Sequence, residues 1–312
     1  MSNRFRPAWL LVLAALSTSA LAKAPETVNI GYQKANIFAL LKYRGTLDES
    51  LKKQGIAVRW VEFPAGPQML EGLNVGSIDL AATGDAPPAF AQAAQADLVY
   101  LAHSPANPKT EAIVVPEQSA IHSVADLKGK RVGLNKGSDV NYLLVAALEK
   151  AGLSYKDITP VYLRRRTPRA FQRGAIDAWV IWDPFLAEVE TNAKARQIRN
   201  AEGLVPHYTF YLASRKFADT YPETAKQVVD ELGKLSAWAN SHQDEAAGLL
   251  STSTGLDKAI WLKTLARLPY GAERMTPAVY NEQQALADTF TRIGLLPVKV
   301  DVRSATWSLD KP

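Results

Sequence analysis

Short runs in which apolar residues dominate or alternate with polar ones recur along the first two thirds of the chain, separated by longer amphipathic stretches. Residues 28–32, 57–62, 78–82 and 98–102 have the length and β-branched content of strands, and 37–54, 66–75 and 86–94 between them have helical periodicity. A second set follows, with strands at 112–115, 131–134, 158–163 and 178–181 and helices near 139–151, 167–173 and 184–191. This alternation predicts an α/β protein with mainly parallel sheets, and two such sets in series predict two similar lobes. After residue 214 the pattern becomes almost continuous helix, over 218–238, 244–250, 256–265 and 277–293. A terminal helical segment of this kind is expected to return to the first lobe, which makes the chain cross between lobes twice, near Pro105 to Thr110 and near Pro206 to Phe210. Those crossings are the hinge candidates, since closure around a ligand is absorbed by a few loop residues. The predicted division is 23–107 with 210–312 for one lobe and 108–209 for the other.

The N-terminus changes the picture of where the protein works. Arg4 and Arg6 precede an apolar run over 8–16, followed by small residues ending in Ala20-Leu21-Ala22. The run falls well short of the roughly 20 residues that span a bilayer. Residues 1–22 therefore read as a cleaved secretory signal peptide, the mature chain beginning near Lys23 in the periplasm. No cysteine occurs anywhere, which removes a lipid anchor, disulfides, thiol nucleophiles and thiolate metal sites together. The formal charge of +5 falls to +3 without residues 1–22, which carry two arginines and no acidic residue. Basic residues are interspersed with acidic ones outside 164–169, so the clustered stripe of a nucleic-acid binder is missing.

Three strand-to-helix junctions carry the chemistry. Thr83-Gly84-Asp85-Ala86-Pro87-Pro88 follows one strand and opens an alanine-rich helix. Gly84 permits a tight turn, Asp85 has the chemistry of an N-cap, and prolines suit a first turn whose N–H groups lack helical partners. Asn135-Lys136-Gly137-Ser138-Asp139 repeats the arrangement in the second set, with Gly137 allowing close backbone approach and Ser138 able to cap the helix or turn to a ligand. It lacks the second glycine and Lys-Ser/Thr pair of a nucleotide-hydrolysing loop. Helix N-termini offer free N–H donors and a favourable dipole to an anion, and ligands of open α/β sheets sit beyond the strands' carboxyl ends. Trp179-Val180-Ile181-Trp182-Asp183-Pro184 is the third junction. Strand alternation leaves Trp182 at the exit, available to an apolar ligand body or to donate its indole N–H, whereas Trp179 reads as core.

At these strings the chain resembles the aliphatic sulfonate-binding proteins of ABC transporters, within a wider family that includes receptors for nitrate, taurine and thiamine precursors. Gly31-Tyr32-Gln33-Lys34, Trp60-Val61-Glu62-Phe63-Pro64-Ala65-Gly66-Pro67-Gln68, the Gly84-Asp85 turn and the Trp179 to Pro184 junction carry the likeness, which extends over nearly all of the mature chain. The resemblance implies a type II periplasmic binding fold that closes on its ligand and docks on a membrane permease, as a monomer with no cofactor and no catalytic residues. It also implies the ligand contacts: Gln33, Gly84, Asp85, Gly137, Ser138 and Trp182. Gln33 and Ser138 would donate to sulfonate oxygens, with further donors from the backbone around Gly84 and Gly137. Asp85 would then spend its charge on capping or on a ligand amine.

One segment departs from that pattern: Arg164-Arg165-Arg166-Thr167-Pro168-Arg169 stands where a short loop of small residues is expected, and reads first as solvated surface. The competing reading is an enzyme on the same fold, since fold alone does not dictate function. Desulfination or pyrimidine synthesis would call for a cysteine nucleophile or a metal cluster, and His103, His122, His207 and His242 have no His-Glu-x-x-His type spacing. His207, beside the second crossing, is the histidine that merits testing.

Overall fold

The computed structural model describes residues 24–34, 36–163, 171 and 173–308. The expected signal peptide, the Arg164 to Arg169 segment and most of the helix expected over 167–173 lie outside the described residues. Ten strands form two five-stranded sheets: β1 (Thr27–Tyr32), β2 (Ala57–Glu62), β3 (Leu80–Thr83), β4 (Leu98–His103) and β10 (Phe210–Ser214) in the first, β5 (Glu111–Pro116), β6 (Arg131–Leu134), β7 (Thr159–Tyr162), β8 (Ala178–Trp182) and β9 (Ala195–Asn200) in the second. The strand orders are β2-β1-β3-β10-β4 and β7-β6-β8-β5-β9. Each sheet is parallel except for one strand, β10 in the first and β5 in the second. Those two are the strands by which the chain enters each lobe from the other, so the antiparallel strand marks each crossing.

Among the described residues the helices are α1 (Ile37–Arg44), α2 (Thr46–Lys52), α3 (Gly66–Asn74), α4 (Ala86–Ala93), α5 (Asp139–Lys150), α6 (Phe185–Asn192), α7 (Arg215–Thr220), α8 (Pro222–Ser241), α9 (Gln243–Thr254), α10 (Lys258–Leu265) and α11 (Pro277–Arg292), with Phe171 also helical. The single helix expected over 37–54 is two, because Gly45 takes the left-handed conformation, φ 68°, that ends α1. The one expected over 218–238 is divided at Tyr221, just before Pro222 opens α8. Two further elements, β9 and β10, were absent from the predicted set.

Each sheet is covered on both faces. Leu232 of α8, Leu250 of α9 and Trp261 of α10 share a core with Leu40, Leu41 and Tyr211 on one face of the first sheet. On its other face Leu286 and Phe290 of α11 pack with Leu70, Ala89 and Tyr100. In the second lobe Leu144 and Leu148 of α5 pack with Val132 and Val180, and Leu186 and Val189 of α6 with Val114 and Trp179. The two crossings run side by side: Ser104 N–H donates to Thr209 O (2.8 Å), Thr209 N–H to Ser104 Oγ (2.9 Å), and Asn107 N–H is shared between Pro206 O (3.2 Å) and His207 O (3.0 Å). Pairing of this kind lets two strands of chain act as one connection between lobes.

Candidate ligand-binding cleft

The carboxyl ends of β1, β3, β6 and β8 converge between the lobes on a cavity of about 90 Å³. One water needs about 10–15 Å³ on such a scale, so the space suits a small polar group. Gln33, which the family resemblance implied, and Gly84, Ser138 and Trp182, from the three strand-to-helix junctions, line it, two from each lobe. Asn36 also lines it and organises the first-lobe side. Its Oδ1 accepts from the N–H groups of Phe38 (3.1 Å) and Ala39 (3.3 Å), capping α1, while its Nδ2 donates to Ala82 O at the end of β3 (3.0 Å).

Two predicted site residues stand off this wall. Gly137 lines a separate apolar hollow with Phe90 and Lys136, and its N–H donates to the side chain of Asn141 (3.2 Å) rather than facing the cleft. Asp85 occupies the N-cap position of α4, but the expected side-chain cap is not made. The residue has a helical backbone, φ −78° and ψ −30°, which turns the carboxyl away from the helix's first N–H groups. It is buried, its Oδ1 has no hydrogen-bond partner, and Gln283 donates instead to its backbone oxygen (2.6 Å). Burial drives the Asp85 carboxyl up to about 8, aided by Glu111 and Asp139 and opposed by His207. Ser138 lines the cavity without capping α5; its hydroxyl donates to Asn135 O (2.8 Å). Trp179 is core, against Phe171, whereas Trp182 is only half-buried.

A charged cluster that no spacing in the sequence discloses borders the cavity: His207 and Asp139 line it, with Glu111 behind them. His207, on the second crossing, holds Nδ1 3.3 Å from Glu111 Oε2 and Nε2 3.5 Å from Asp139 Oδ2. The Glu111 contact is an ion pair at a distance long for a hydrogen bond, and neither Glu111 oxygen has a hydrogen-bond partner. These three residues each bring a ligand atom within 4.8 Å of the others, a spacing that could hold a metal ion. The two carboxylates, however, address different ring nitrogens, which suits an imidazolium carrying both protons. Burial pulls the His207 ring down, but Glu111, Asp139 and Asp85 outweigh it and carry it up to about 10. Burial raises Asp139 to about 6, with His207 opposing the rise.

The crossings supply cleft residues that the sequence reading treated only as hinge: Ser104, Asn107, Thr110 and Thr209 line the cavity with hydroxyl and amide groups. Leu268, Pro269 and Tyr270, after α10, form its first-lobe wall opposite Trp182 and Asp183. Small polar residues between prolines, as in 104–110, were the available signal for the former; nothing local marks the latter. No lysine or arginine lines the cavity among the described residues. The site therefore offers hydroxyl and amide groups and an apolar wall, while the charged residues that line it, His207, Asp139 and Asp183, are held in ion pairs.

Comparison with known proteins agrees in fold and extent. Residues 51–246 match the family model described as NMT1/THI5 like. The alkanesulfonate-binding protein SsuA from Xanthomonas axonopodis pv. citri, bound to MOPS, is 42% identical, with a TM-score of 0.86 over 92% of this chain and 99% of its own. The periplasmic aliphatic sulphonate binding protein SsuA from Escherichia coli is 41% identical, with a TM-score of 0.82 over 91% of this chain and 93% of its own. A relative from Escherichia coli (strain K12), named for binding aliphatic sulfonates, is 42% identical over 300 residues, covering 95% of this chain and 93% of its own.

Proposed function

The chain belongs to the NMT1/THI5-like family, and on that premise we propose that it is the extracytoplasmic receptor of an ABC importer, capturing aliphatic sulfonates between its lobes and delivering them to a membrane permease for sulfur acquisition. It is a binding protein and does no chemistry on its ligand. The observation that carries the reading is the cavity where four strand ends from two lobes meet, lined by hydroxyl and amide groups, by Trp182 and by the ion-paired Asp139, Asp183 and His207. A sulfonate presents three equivalent acceptor oxygens and stays anionic at physiological pH, so it needs donors and no base.

Within this reading Gln33, the backbone around Gly84 and the Trp182 indole are the donors closest in kind to what a sulfonate requires, with Thr209 beside them; the Asn107 amide and Thr110 hydroxyl donate within the first crossing, to Ser104, Pro105 and Asn107. Ser138 joins them if its hydroxyl leaves Asn135 O on binding. Trp182 and the Leu268 to Tyr270 wall then receive the apolar part. The lobes divide at 107/108 and 209/210, hinge on the paired crossings and close on the ligand. The mature protein is a periplasmic monomer freed from a signal peptide at residues 1–22; no helix among the described residues is long and apolar enough to cross a membrane.

A binding panel of alkanesulfonates, taurine, nitrate and sulfate, with sulfite release measured alongside, tests the assignment. Preferential sulfonate binding with no sulfite formed is the expected result. Sulfite release would make the protein an enzyme, and selective nitrate binding would move it to another branch of the family.

A further inference from the structure

A buried ion-pair bridge joins the lobes at the mouth of the cavity. Arg267 follows α10 in the first lobe, between Leu265 and Leu268, which pack in or against that lobe's core. Its partners belong to the second lobe. Arg267 Nε lies 2.6 Å from Asp183 Oδ2, its Nη2 donates to Asp183 Oδ1 (2.9 Å) and also reaches Glu190 Oε2 on α6 (3.1 Å). Asp183 is 1% exposed at its side chain, Arg267 15% and Glu190 14%. Lys263 of α10 adds a second interlobe contact to Glu190 (2.9 Å), and Gln197 holds the other Glu190 oxygen (2.6 Å).

The bridge is continuous with the cleft on both sides. Asp183 lines the cavity beside Trp182, and Arg267 directly precedes the opposing Leu268-Pro269-Tyr270 wall, so the bridge ties one wall of the cavity to the other. Asp183 is also oriented within its own lobe, accepting from the Ala187 N–H (3.0 Å). The Nη2–Oδ1 hydrogen bond is charge-assisted, and the close Nε–Oδ2 approach, which lacks hydrogen-bond geometry, adds a short-range attraction that opening the lobes forfeits.

We propose that Arg267 is a positioning residue of the binding site: by bridging Asp183 and Glu190 across the lobes it holds Trp182 against the Leu268 to Tyr270 wall and sets the residence time of the ligand. The inference rests on the receptor reading above. The contrast lies at a separate interlobe bridge on the surface, where Arg292 meets Glu149 at 2.8 and 3.1 Å but the side chains are 57% and 41% exposed. A solvated pair of that kind contributes little.

Stopped-flow Trp fluorescence of the mature protein with ethanesulfonate separates association from release. Arg267→Met is expected to raise the release rate by about 10- to 100-fold while association stays within about 3-fold, the pattern of a lost buried pair. Arg292→Met is expected to leave both rates within about 2-fold of the parent. The ligand-free melting temperature reports folding. Should Arg267→Met fail to fold with Asp183 left unpaired, the double variant Arg267→Met/Asp183→Asn removes both charges and retains an acceptor for Ala187. It is then expected to show the same faster release. Release from a folded variant within about 2-fold of the parent, or a loss confined to association, overturns the proposal. Failure of the unmodified protein to bind sulfonates would instead sink the receptor reading, and this inference with it.

Discussion

The carboxyl group of Asp139, at the start of α5 in the second lobe, packs directly on the α-carbon of Gly84 in the first: a β-carbon at Gly84 would stand 2.6 Å from both Cγ and Oδ1 of Asp139. The glycine is required by that approach across the cleft and not by its own backbone, which is outside the left-handed region. Gly84→Ala is therefore expected to fold normally yet resist closure, with an overpacking cost of about 1–3 kcal/mol appearing in affinity rather than in ligand-free stability. Titration calorimetry beside a thermal melt checks it. An unchanged affinity would mean that the lobes do not need this contact to hold ligand.

The buried cluster predicts how stability varies with pH. His207 is raised from its ordinary 6.5 to about 10, so the stability it contributes is fully present below pH 6.5 and is lost as pH rises toward 10. Asp85, raised from 3.8 to about 8, has the same sign, because the native state keeps a proton that the unfolded chain gives up. The urea midpoint is expected to fall between pH 6.5 and 10, and the part above pH 8 belongs to His207. His207→Gln should flatten that upper part. A midpoint level from pH 6.5 to 10 in the parent protein would contradict the imidazolium assignment.

Asn36 joins α1 to the end of β3 by three hydrogen bonds. Loss of an N-cap costs about 0.5–2 kcal/mol, so Asn36→Ala is expected to lower unfolding free energy by roughly that amount. Urea denaturation measures it. Because Asn36 also lines the cavity, weaker sulfonate binding should accompany the loss.

Closure about the paired crossings predicts a smaller radius of gyration with bound sulfonate than without. Small-angle scattering on the same sample before and after ligand addition reads it directly, and superimposable profiles would count against a hinge at 104–110 and 206–209.

Much of this architecture was legible in the chain. The bounds of β2 and β6 follow from composition and alternation, and the junctions at Gln33, Gly84, Ser138 and Trp182 meet at one cavity because ligand sites form beyond parallel strand ends. Asp85 illustrates what local rules miss. Asp85 does stand at the N-cap position, but its helical backbone leaves the side-chain cap unmade, and the carboxyl is buried where Glu111, Asp139 and His207 act on it, a setting no local pattern shows. β9, Ala195–Asn200, hid because three of its six side chains are Arg or Gln, which disguise an edge strand as loop. β10 hid because its apolar residues follow a segment already assigned to the hinge. The Asp183–Arg267 bridge joins residues 84 positions apart, beyond any sequence window.

Calorimetric titration of the mature protein and of Trp182→Ala with ethanesulfonate tests the central claim most directly. The account predicts micromolar or tighter binding by the parent protein, weakened about tenfold or more when the indole is removed, as loss of a buried aromatic contact and a donor implies. Equal affinities would take Trp182 out of the site, and no heat from any alkanesulfonate would contradict the assignment of this cleft to sulfonates.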